Sequence, residues 1–242
     1  MKKLCRKIKE IVLSIIFPKK CVFCDAMLSP SAELCVCVNC INTLPFCLAY
    51  NRCRKCGKPV EEGEKECSHC RDNKMKYCTK ISAAYIYKDS VKKSILRFKD
   101  ERYCSFARTF AHHMKIVAEN DNKNREFDVV ISVAPRKDRM RKSGYDQAEC
   151  LGIELSKLMK LPFERNVLCQ AERRKKQSSL SAEERCENAK GNYRVKRESV
   201  IKDKNILLVD DVCTTGSTLN ECARVLKKAG ANQVCCVVAA TV

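Results

Sequence analysis

The chain has 242 residues, enough for one sizeable hydrophobic core or for a small module followed by one domain. Lysine and arginine total 48 against 29 acidic residues, a formal net charge of +19, and no run approaches the roughly 20 apolar residues of a membrane span. The charge favours a polyanionic partner, such as nucleic acid, a phosphorylated small molecule or an anionic membrane face. A lysine-rich soluble surface without such a partner has the same composition.

The N-terminal segment MKKLCRKIKEIVLSIIF starts with basic residues, but its apolar stretch is short and no small-residue cleavage site follows. Its apolar residues recur at helical spacing, which predicts an amphipathic helix over residues 1–20. The chain contains 20 cysteines. Without an export signal, we expect a cytoplasmic protein whose cysteines are reduced or bound to metal.

Four CxxC pairs follow within residues 21–70. Two such pairs can complete one tetrahedral zinc site, so four pairs predict two structural zinc ions. Reduced cysteines without metal and an iron–sulfur cluster are the alternatives. We expect a double zinc ribbon over residues 21–78, and its predicted ligands are Cys21, Cys24, Cys37, Cys40, Cys53, Cys56, Cys67 and Cys70.

The spacing leaves the pairing of these cysteines open. Neighbouring CxxC pairs can share a metal ion, which would make one site within residues 21–40 and another within residues 53–70. A cross-braced arrangement fits the spacing equally well. Cys35 and His69 are spare ligand candidates that could replace a neighbour.

Beyond residue 79, short apolar runs rich in β-branched residues alternate with helical patterns. This alternation predicts an α/β domain over residues 79–242, with a mainly parallel sheet covered by helices on both faces. Ligands of such sheets bind at the carboxyl ends of the strands. The predicted strands are 81–87, 128–134, 205–211 and 233–240, and the predicted helices are 90–98, 104–119, 145–160 and 217–229.

The stretch ILLVDDVCTTGST at 206–218 is the strongest functional motif. Backbone amides and hydroxyl groups at the start of a helix can bind a phosphate, and Gly216 lets the backbone approach it closely. Two carboxylates beside a phosphate suit sugar hydroxyls or the water ligands of magnesium. The motif therefore predicts a sugar-phosphate site formed by Asp210, Asp211, Thr214, Thr215, Gly216, Ser217 and Thr218.

Two further residue types near these patterns have weaker functional interpretations. Cys213 lies within the motif, near a predicted helix N-terminus, and one hypothesis is a lowered thiol pKa with ready oxidation. A tolerated variable loop position is the alternative. His112 and His113 lie in mid-helix with no catalytic or metal partner at suitable spacing, so packing is the expected role.

The motif resembles the phosphoribosyl pyrophosphate (PRPP) signature of type I phosphoribosyltransferases, in which apolar residues precede paired acids and a TTG-type loop. Four CxxC pairs ahead of such a domain resemble the ComF family, the competence-protein and amidophosphoribosyltransferase-like group with an N-terminal double zinc ribbon. Segments 94–100, 134–152 and 173–195 are also similar to that family. Three positions depart from the family pattern. Asp146 occupies a position where the family usually has asparagine, and Ser143 replaces an arginine. Arg97 occupies a position where lysine is common, although Lys99 is close by.

The resemblance implies a type I phosphoribosyltransferase-like fold and magnesium-dependent use of PRPP. Asp210 and Asp211 would contact the ribose hydroxyls, and residues 214–218 would contact the 5′-phosphate. Negative charge gathers on the leaving pyrophosphate, so magnesium and basic groups at that end would assist the reaction. Arg136 and Lys137 are therefore catalytic candidates beside the two acids. A solvated basic loop is the alternative, and the further substrate-binding candidates are Arg139, Arg141 and Gln147.

Three functions fit this pattern: a transferase acting on PRPP and an unidentified nucleobase or amine, a single-stranded DNA-binding protein, and a PRPP-sensing regulator. In the second, PRPP is a regulatory ligand or the site is vestigial. The resemblance implies a role in DNA uptake and natural transformation, with a competence helicase as a candidate partner. The basic segment 173–176 resembles the hood, the segment that closes over the active site in this fold class. Contact with a nucleic-acid backbone is the alternative role. Candidate base-stacking residues, or packing residues instead, are Phe23, Phe46, Tyr50 and Tyr77.

Overall fold

The computed structural model describes residues 18–72, 75–100, 104–135, 145–171 and 191–242. All but the last three residues of the predicted N-terminal helix lie outside these ranges. Among the described residues, no helix is long and apolar enough to cross a membrane.

Four parallel strands form the central sheet, and two short antiparallel strands form a separate pair. In chain order the strands are β1 (Lys80–Ile86), β2 (Val129–Ser132), β3 (Leu168–Gln170), β4 (Tyr193–Val195), β5 (Asn205–Cys213) and β6 (Gln233–Thr241). The sheet order is β1-β6-β5-β2, whereas β3 pairs with β4. The parallel sheet predicted from the sequence is therefore confirmed, and each of its strands lies where an apolar run predicted it. The β3–β4 pair was not predicted.

Helices cover both faces of this sheet. They are α1 (Val38–Thr43), α2 (Ser68–Arg71), α3 (Asp89–Asp100), α4 (Cys104–Asp121), α5 (Gln147–Met159) and α6 (Ser217–Lys228), with 3-10 turns at Cys47–Ala49 and Glu198–Val200. Successive residues of a strand point to opposite faces. Leu207 and Val209 of β5 accordingly pack with α3, α4 and α5, whereas Ile206 and Leu208 pack with α6.

The cysteine-rich module packs against both faces and covers one edge of the sheet. Cys21 and Phe23 belong to the hydrophobic cluster under α4, and Cys53 and Cys56 belong to the cluster under α6. The module covers the outer edge of β1. Ile86 N donates to Pro45 O at 2.9 Å, and Ile81 N donates to Lys55 O at 2.8 Å. These hydrogen bonds remove an unpaired strand edge that would otherwise attract other chains.

Two ion pairs join the module to the helices of the larger domain. Arg52 makes a two-pronged contact with Asp121 at the end of α4, with N–O distances of 3.1 and 3.0 Å. Arg97 of α3 lies 2.7 Å from Asp25. Each half of the module is therefore attached to the same layer of helices by one arginine. The boundary predicted at residues 78 and 79 remains a prediction.

Candidate phosphate-binding site and cysteine clusters

Asp210 and Asp211 lie near the carboxyl end of β5, and each carboxylate accepts a hydrogen bond from the next backbone amide. Asp211 N donates to Asp210 Oδ1 at 2.8 Å, and Val212 N donates to Asp211 Oδ1 at 2.7 Å. These bonds orient both carboxylates at the sheet edge, where parallel sheets bind their ligands.

The electrostatics of the pair are unequal. Burial, with the adjacent Asp211 carboxylate, raises the pKa of Asp210 well above its ordinary value, and Asp146 adds to this effect. Lys99 opposes it. A concentration of acidic groups in one partly enclosed place thus favours a ligand that carries hydroxyl groups or positive charge.

Lys99 reaches this edge from the last turn of α3. Its Nζ lies 2.9 Å from Asp211 Oδ2, and its backbone oxygen accepts a 3.3 Å hydrogen bond from Gln147 Nε2. Gln147 was predicted to contact substrate; here its side chain is 1% exposed and contacts the backbone of Lys99. Sequence reasoning did not count Lys99 as a site residue, although its position in the ComF-like segment 94–100 was the available signal.

Residues 214–218, the phosphate loop, connect β5 to α6. Gly216 precedes the first helical residue with φ of +77°, a conformation that favours glycine. Its oxygen accepts the first helical hydrogen bond, from Asn220 N at 2.8 Å. Thr215 Oγ1 lies 2.7 Å from Ser217 Oγ, so two hydroxyl groups converge at the helix N-terminus. Thr214 is exposed and Thr218 is half-buried in the same turn.

The phosphate loop rests on residues near the end of the cysteine-rich module, beyond its last predicted metal ligand. A Cβ atom on Gly216 would lie 3.0 Å from both Sδ and Cε of Met75, so only glycine fits here without displacing that side chain. Met75 is 1% exposed. Two residues further, Tyr77 N donates to Asn220 Oδ1 in α6 at 2.9 Å. Sequence patterns contained no signal for this contact, which joins residues about 140 positions apart.

The hypothesis of a reactive Cys213 is wrong. Its side chain is buried, and this burial raises the thiol pKa to about 12. The reason is the strand: β5 continues through Cys213, which therefore packs into the core beside α6 instead of standing in the open loop. A thiol with this pKa carries almost no thiolate at neutral pH.

The basic candidates at the pyrophosphate end lie outside the described residues. The same holds for the segment 173–176. The described residues that precede these candidates lie beside the acidic pair. Val133 N donates a hydrogen bond to Val209 O, next to Asp210, at 2.9 Å. The candidates left as predictions are Arg136, Lys137, Arg139 and Arg141.

The eight predicted metal ligands form two groups of four thiols. Within each group, the four sulfur atoms lie within 4.8 Å of one another. The first cysteine cluster is Cys21, Cys24, Cys37 and Cys40, and the second is Cys53, Cys56, Cys67 and Cys70. Neighbouring CxxC pairs thus share a site, and the cross-braced alternative does not occur. Neither cluster includes Cys35 or His69.

Both clusters have the dimensions of a tetrahedral zinc site. A zinc–sulfur distance of about 2.3 Å places tetrahedral sulfur atoms about 3.8 Å apart. The structure has 3.6 Å between Cys24 and Cys37 Sγ, and 3.6 Å between Cys56 and Cys67 Sγ. The backbone N–H of Cys40 lowers the pKa of Cys37 to about 7, whereas burial raises the pKa of Cys40. A bound metal would hold all four cysteines as thiolates.

The aromatic candidates for base stacking divide into two pairs. Phe23 is buried against Tyr85, with ring centroids 5.7 Å apart, and Phe46 lies 5.0 Å from the same ring. These two side chains attach the module to the sheet and are not available to a base. Tyr50 and Tyr77 are exposed.

Comparison with known families agrees with this architecture. Residues 12–71 match the family model "Double zinc ribbon domain", and residues 151–242 match "Phosphoribosyl transferase domain". The molecule is thus a phosphoribosyltransferase-type domain preceded by a cysteine-rich zinc-ribbon module.

Relatives of known name match along most of the chain. Competence protein F of Haemophilus influenzae is 25% identical over 90% of this chain and 95% of its own length. Competence protein ComFC of Streptococcus pneumoniae is 28% identical over 88% and 90%. DNA utilization protein YhgH of Escherichia coli K12 is 25% identical over 75% and 80%. Both domains, in this order, and the similarity along most of the chain agree with the resemblance to the ComF family.

Proposed function

We propose that this protein binds PRPP together with Mg²⁺ at the carboxyl edge of β5. The observation that supports this most directly is the arrangement of two oriented carboxylates, Asp210 and Asp211, immediately before a phosphate loop that begins α6. The acids would accept hydrogen bonds from the ribose hydroxyls, and the loop would bind the 5′-phosphate through backbone amides and hydroxyl groups. PRPP carries both groups, a 2′,3′-diol and a 5′-phosphate, on one ribose.

The magnesium ion would be held through its water ligands by Asp210 and Asp211, since carboxylate oxygens are the donors it prefers. When bound, it supplies positive charge to the leaving pyrophosphate. The protein's own part is to orient the sugar and to offer Lys99 and the predicted basic residues, Arg136 and Lys137, to the negative charge that develops. Phosphoribosyl transfer to an acceptor is the reaction that these groups would assist.

We further propose that PRPP use is connected with DNA handling in the cytoplasm. Three relatives are named for competence or DNA utilization, and this chain has a net charge of +19. A single-stranded DNA partner, with a DNA-uptake helicase nearby, fits both observations. The alternative is a zinc-ribbon DNA-binding protein in which PRPP only regulates or the site is vestigial. The exposed rings of Tyr50 and Tyr77 favour some contact with bases.

We also propose that each cysteine cluster holds one structural zinc ion. The sulfur–sulfur distances and the tetrahedral grouping support zinc over an iron–sulfur cluster, which would need a larger cavity between the thiols. A module with so few large apolar side chains gains most of its folding free energy from such metal sites.

Calorimetric titration of PRPP with Mg²⁺ tests the main proposal. We expect saturable, magnesium-dependent binding by the wild-type chain and at least about a tenfold loss with Asp211→Asn, because one charge-assisted hydrogen bond to the ribose is removed. Asp203→Asn is the matched control, since Asp203 is exposed and lies two residues before β5 begins, at the end away from the candidate site. Absence of binding by a folded, zinc-loaded wild-type protein would contradict the proposal.

The same titration with a short single-stranded oligonucleotide tests the link to DNA. If the two ligands are coupled, the oligonucleotide changes PRPP affinity, and PRPP changes oligonucleotide affinity by the same factor. Oligonucleotide binding that falls steeply with salt but ignores PRPP supports the alternative, a basic DNA-binding protein.

A further inference from the structure

The phosphate loop and the second cysteine cluster lie on the same side of the sheet and share one hydrophobic cluster. Cys53, Cys56 and Cys70 pack in that cluster with Met75 and with Leu219 of α6. The first cysteine cluster packs on the opposite face, under α4. The two metal sites therefore have different neighbours, although their ligand sets are alike.

Three contacts lie between the second cluster, β1 and the start of α6. Gly57, within its first CxxC turn, lies against β1, because a Cβ there would be 2.8 Å from Ile81 O. Met75, which follows the last ligand, touches Gly216 at the centre of the phosphate loop. Tyr77 N binds Asn220 in the first turn of α6. Ile81 completes a packed connection among the described residues, because its Cδ1 would lie 3.5 Å from a Cβ on Gly216.

We propose that the second cysteine cluster positions the phosphate loop through Met75, so that metal at this cluster and PRPP at the loop are thermodynamically linked. This inference rests on the proposed PRPP site. With metal bound, the second cysteine cluster supports Met75 within their shared hydrophobic cluster, and Met75 beneath Gly216 keeps the loop amides in place for a phosphate. Without metal, the thiols lose their common centre and Met75 loses its support, so the loop amides must be ordered by the ligand itself.

Linkage of this kind is reciprocal. Metal at the second cluster should strengthen PRPP binding, and PRPP should slow the loss of that metal to a chelator. The first cysteine cluster is a control within the same chain, because it has no contact with the loop in the described residues. PRPP should leave metal release from that cluster unchanged.

The role of Met75 is tested by hydrogen exchange of the peptide covering 213–220, measured in the full-length, zinc-loaded protein. Met75→Ala should speed exchange of the loop amides about tenfold and weaken PRPP binding by a similar factor, whereas Met75→Leu should restore both to near wild type. Met114→Ala is the matched control, because Met114 is an equally buried methionine in the opposite hydrophobic cluster. If Met75→Ala does not fold, Met75→Val replaces it in the same comparison.

Equal loop exchange in the Met75 and Met114 variants would overturn the proposal. Metal release is measured in two variants. Cys24→Ser disrupts the first cluster and keeps the second intact, whereas Cys67→Ser disrupts the second and keeps the first intact. PRPP should slow zinc release only from Cys24→Ser, and slowing in both or in neither contradicts the linkage. If wild-type protein binds no PRPP, the proposed function and the linkage fail together, while loop exchange still decides whether Met75 positions the loop.

Discussion

Lys99 and Asp211 form an ion pair, with Nζ 2.9 Å from Oδ2, that joins the last turn of α3 to the carboxyl edge of β5. Both side chains are largely enclosed, at 24% and 14% exposure, so the pair is less screened than one at the surface. Two residues earlier on the same helix, Arg97 binds Asp25 beside the first cysteine cluster. One helix end therefore contacts both the candidate site and the cysteine-rich module.

The first prediction concerns this lysine. Lys99→Met should weaken binding of PRPP with Mg²⁺ about tenfold, because Asp211 would lose its cationic partner and the acidic group of Asp146, Asp210 and Asp211 would repel the pyrophosphate more strongly. Calorimetric titration measures the change. Lys99→Arg should keep most of the affinity, and Lys93→Met, at an exposed position of the same helix, should be neutral. Tighter binding by Lys99→Met would mean instead that the lysine competes with ribose for Asp211.

The second prediction follows from the raised pKa of Asp210. The folded chain holds the Asp210 proton more tightly than the unfolded chain does. The free energy of unfolding therefore falls as pH rises from the ordinary carboxyl pKa to the raised pKa of Asp210. Asp210→Asn cannot ionise and can still accept the hydrogen bond from Asp211 N. It should therefore unfold at a higher urea concentration than wild type at pH 8, with a smaller difference at pH 5.5.

The control for this prediction is Asp203→Asn, an exposed aspartate that should change little at either pH. The same Asp210→Asn variant should bind PRPP more weakly, so stability and binding should move in opposite directions, as they often do at functional sites. A variant that is less stable than wild type at pH 8 would show that the Asp210 carboxylate is ionised and stabilising in the folded chain.

The third prediction concerns His113, which is buried against Tyr85 and Phe46 between the module and the sheet. Burial, with a smaller effect of His112, lowers its pKa to about 4 from 6.5. The unfolded chain takes up a proton near pH 6.5 and the folded chain only near pH 4. Stability should therefore fall as pH decreases through this window, by up to about 3 kcal/mol.

Urea unfolding between pH 7.5 and pH 5 measures this dependence. His113→Asn removes the titrating group while keeping a polar atom for the Tyr85 hydroxyl, so the variant should lose less stability on acidification than wild type. The control is His112→Asn, at a half-buried neighbouring position, which would undergo the same acid-induced loss of metal. Its stability should depend on pH as steeply as that of wild type. Identical slopes in all three proteins would count against a buried neutral His113.

Most of the sheet and its helices could be predicted from the sequence, because buried strands and amphipathic helices have local periodic signals. β5 and β6 begin at the predicted residues 205 and 233. The two short strands Leu168–Gln170 and Tyr193–Val195 could not, since three residues carry no readable period. The paired acids and the CxxC ligands were visible as local motifs.

Contacts between distant segments were not visible in this way. Met75 beneath Gly216 and Lys99 beside Asp211 each depend on how the module and α3 pack on the sheet, and no local pattern encodes that packing. Cys213 shows the same limit in reverse. Its neighbours in sequence suggested an open loop, but the strand extends through it and buries the thiol.

The fourth prediction is metal content. Native mass spectrometry should find two zinc ions per wild-type chain and one in Cys40→Ser, since one cluster is then short of a ligand. Cys35→Ser, which changes a buried thiol beside the first cluster but outside it, should keep two. Visible absorption from an iron–sulfur cluster in anaerobically purified protein would contradict the zinc assignment.

The fifth prediction concerns the ion pair between Arg52 and Asp121, whose side chains are 16% and 3% exposed. Arg52→Met should lower the free energy of unfolding by about 3 kcal/mol, because it leaves a buried carboxylate without its cation. Circular dichroism during urea unfolding, suited to a chain with no tryptophan, measures the loss. Arg54→Met, two residues away and exposed, should change stability by less than about 0.5 kcal/mol.

The double variant Arg52→Met with Asp121→Leu separates the cost of a lone charge from the value of the pair. If the Arg52→Met loss comes from the stranded carboxylate, replacing both partners by apolar side chains should recover much of the stability. If the double variant is as unstable as Arg52→Met, the ion pair itself attaches the second half of the module to α4. Zinc content should stay at two in both variants, because neither residue is a ligand, so any change in stability reports the attachment and not the metal sites.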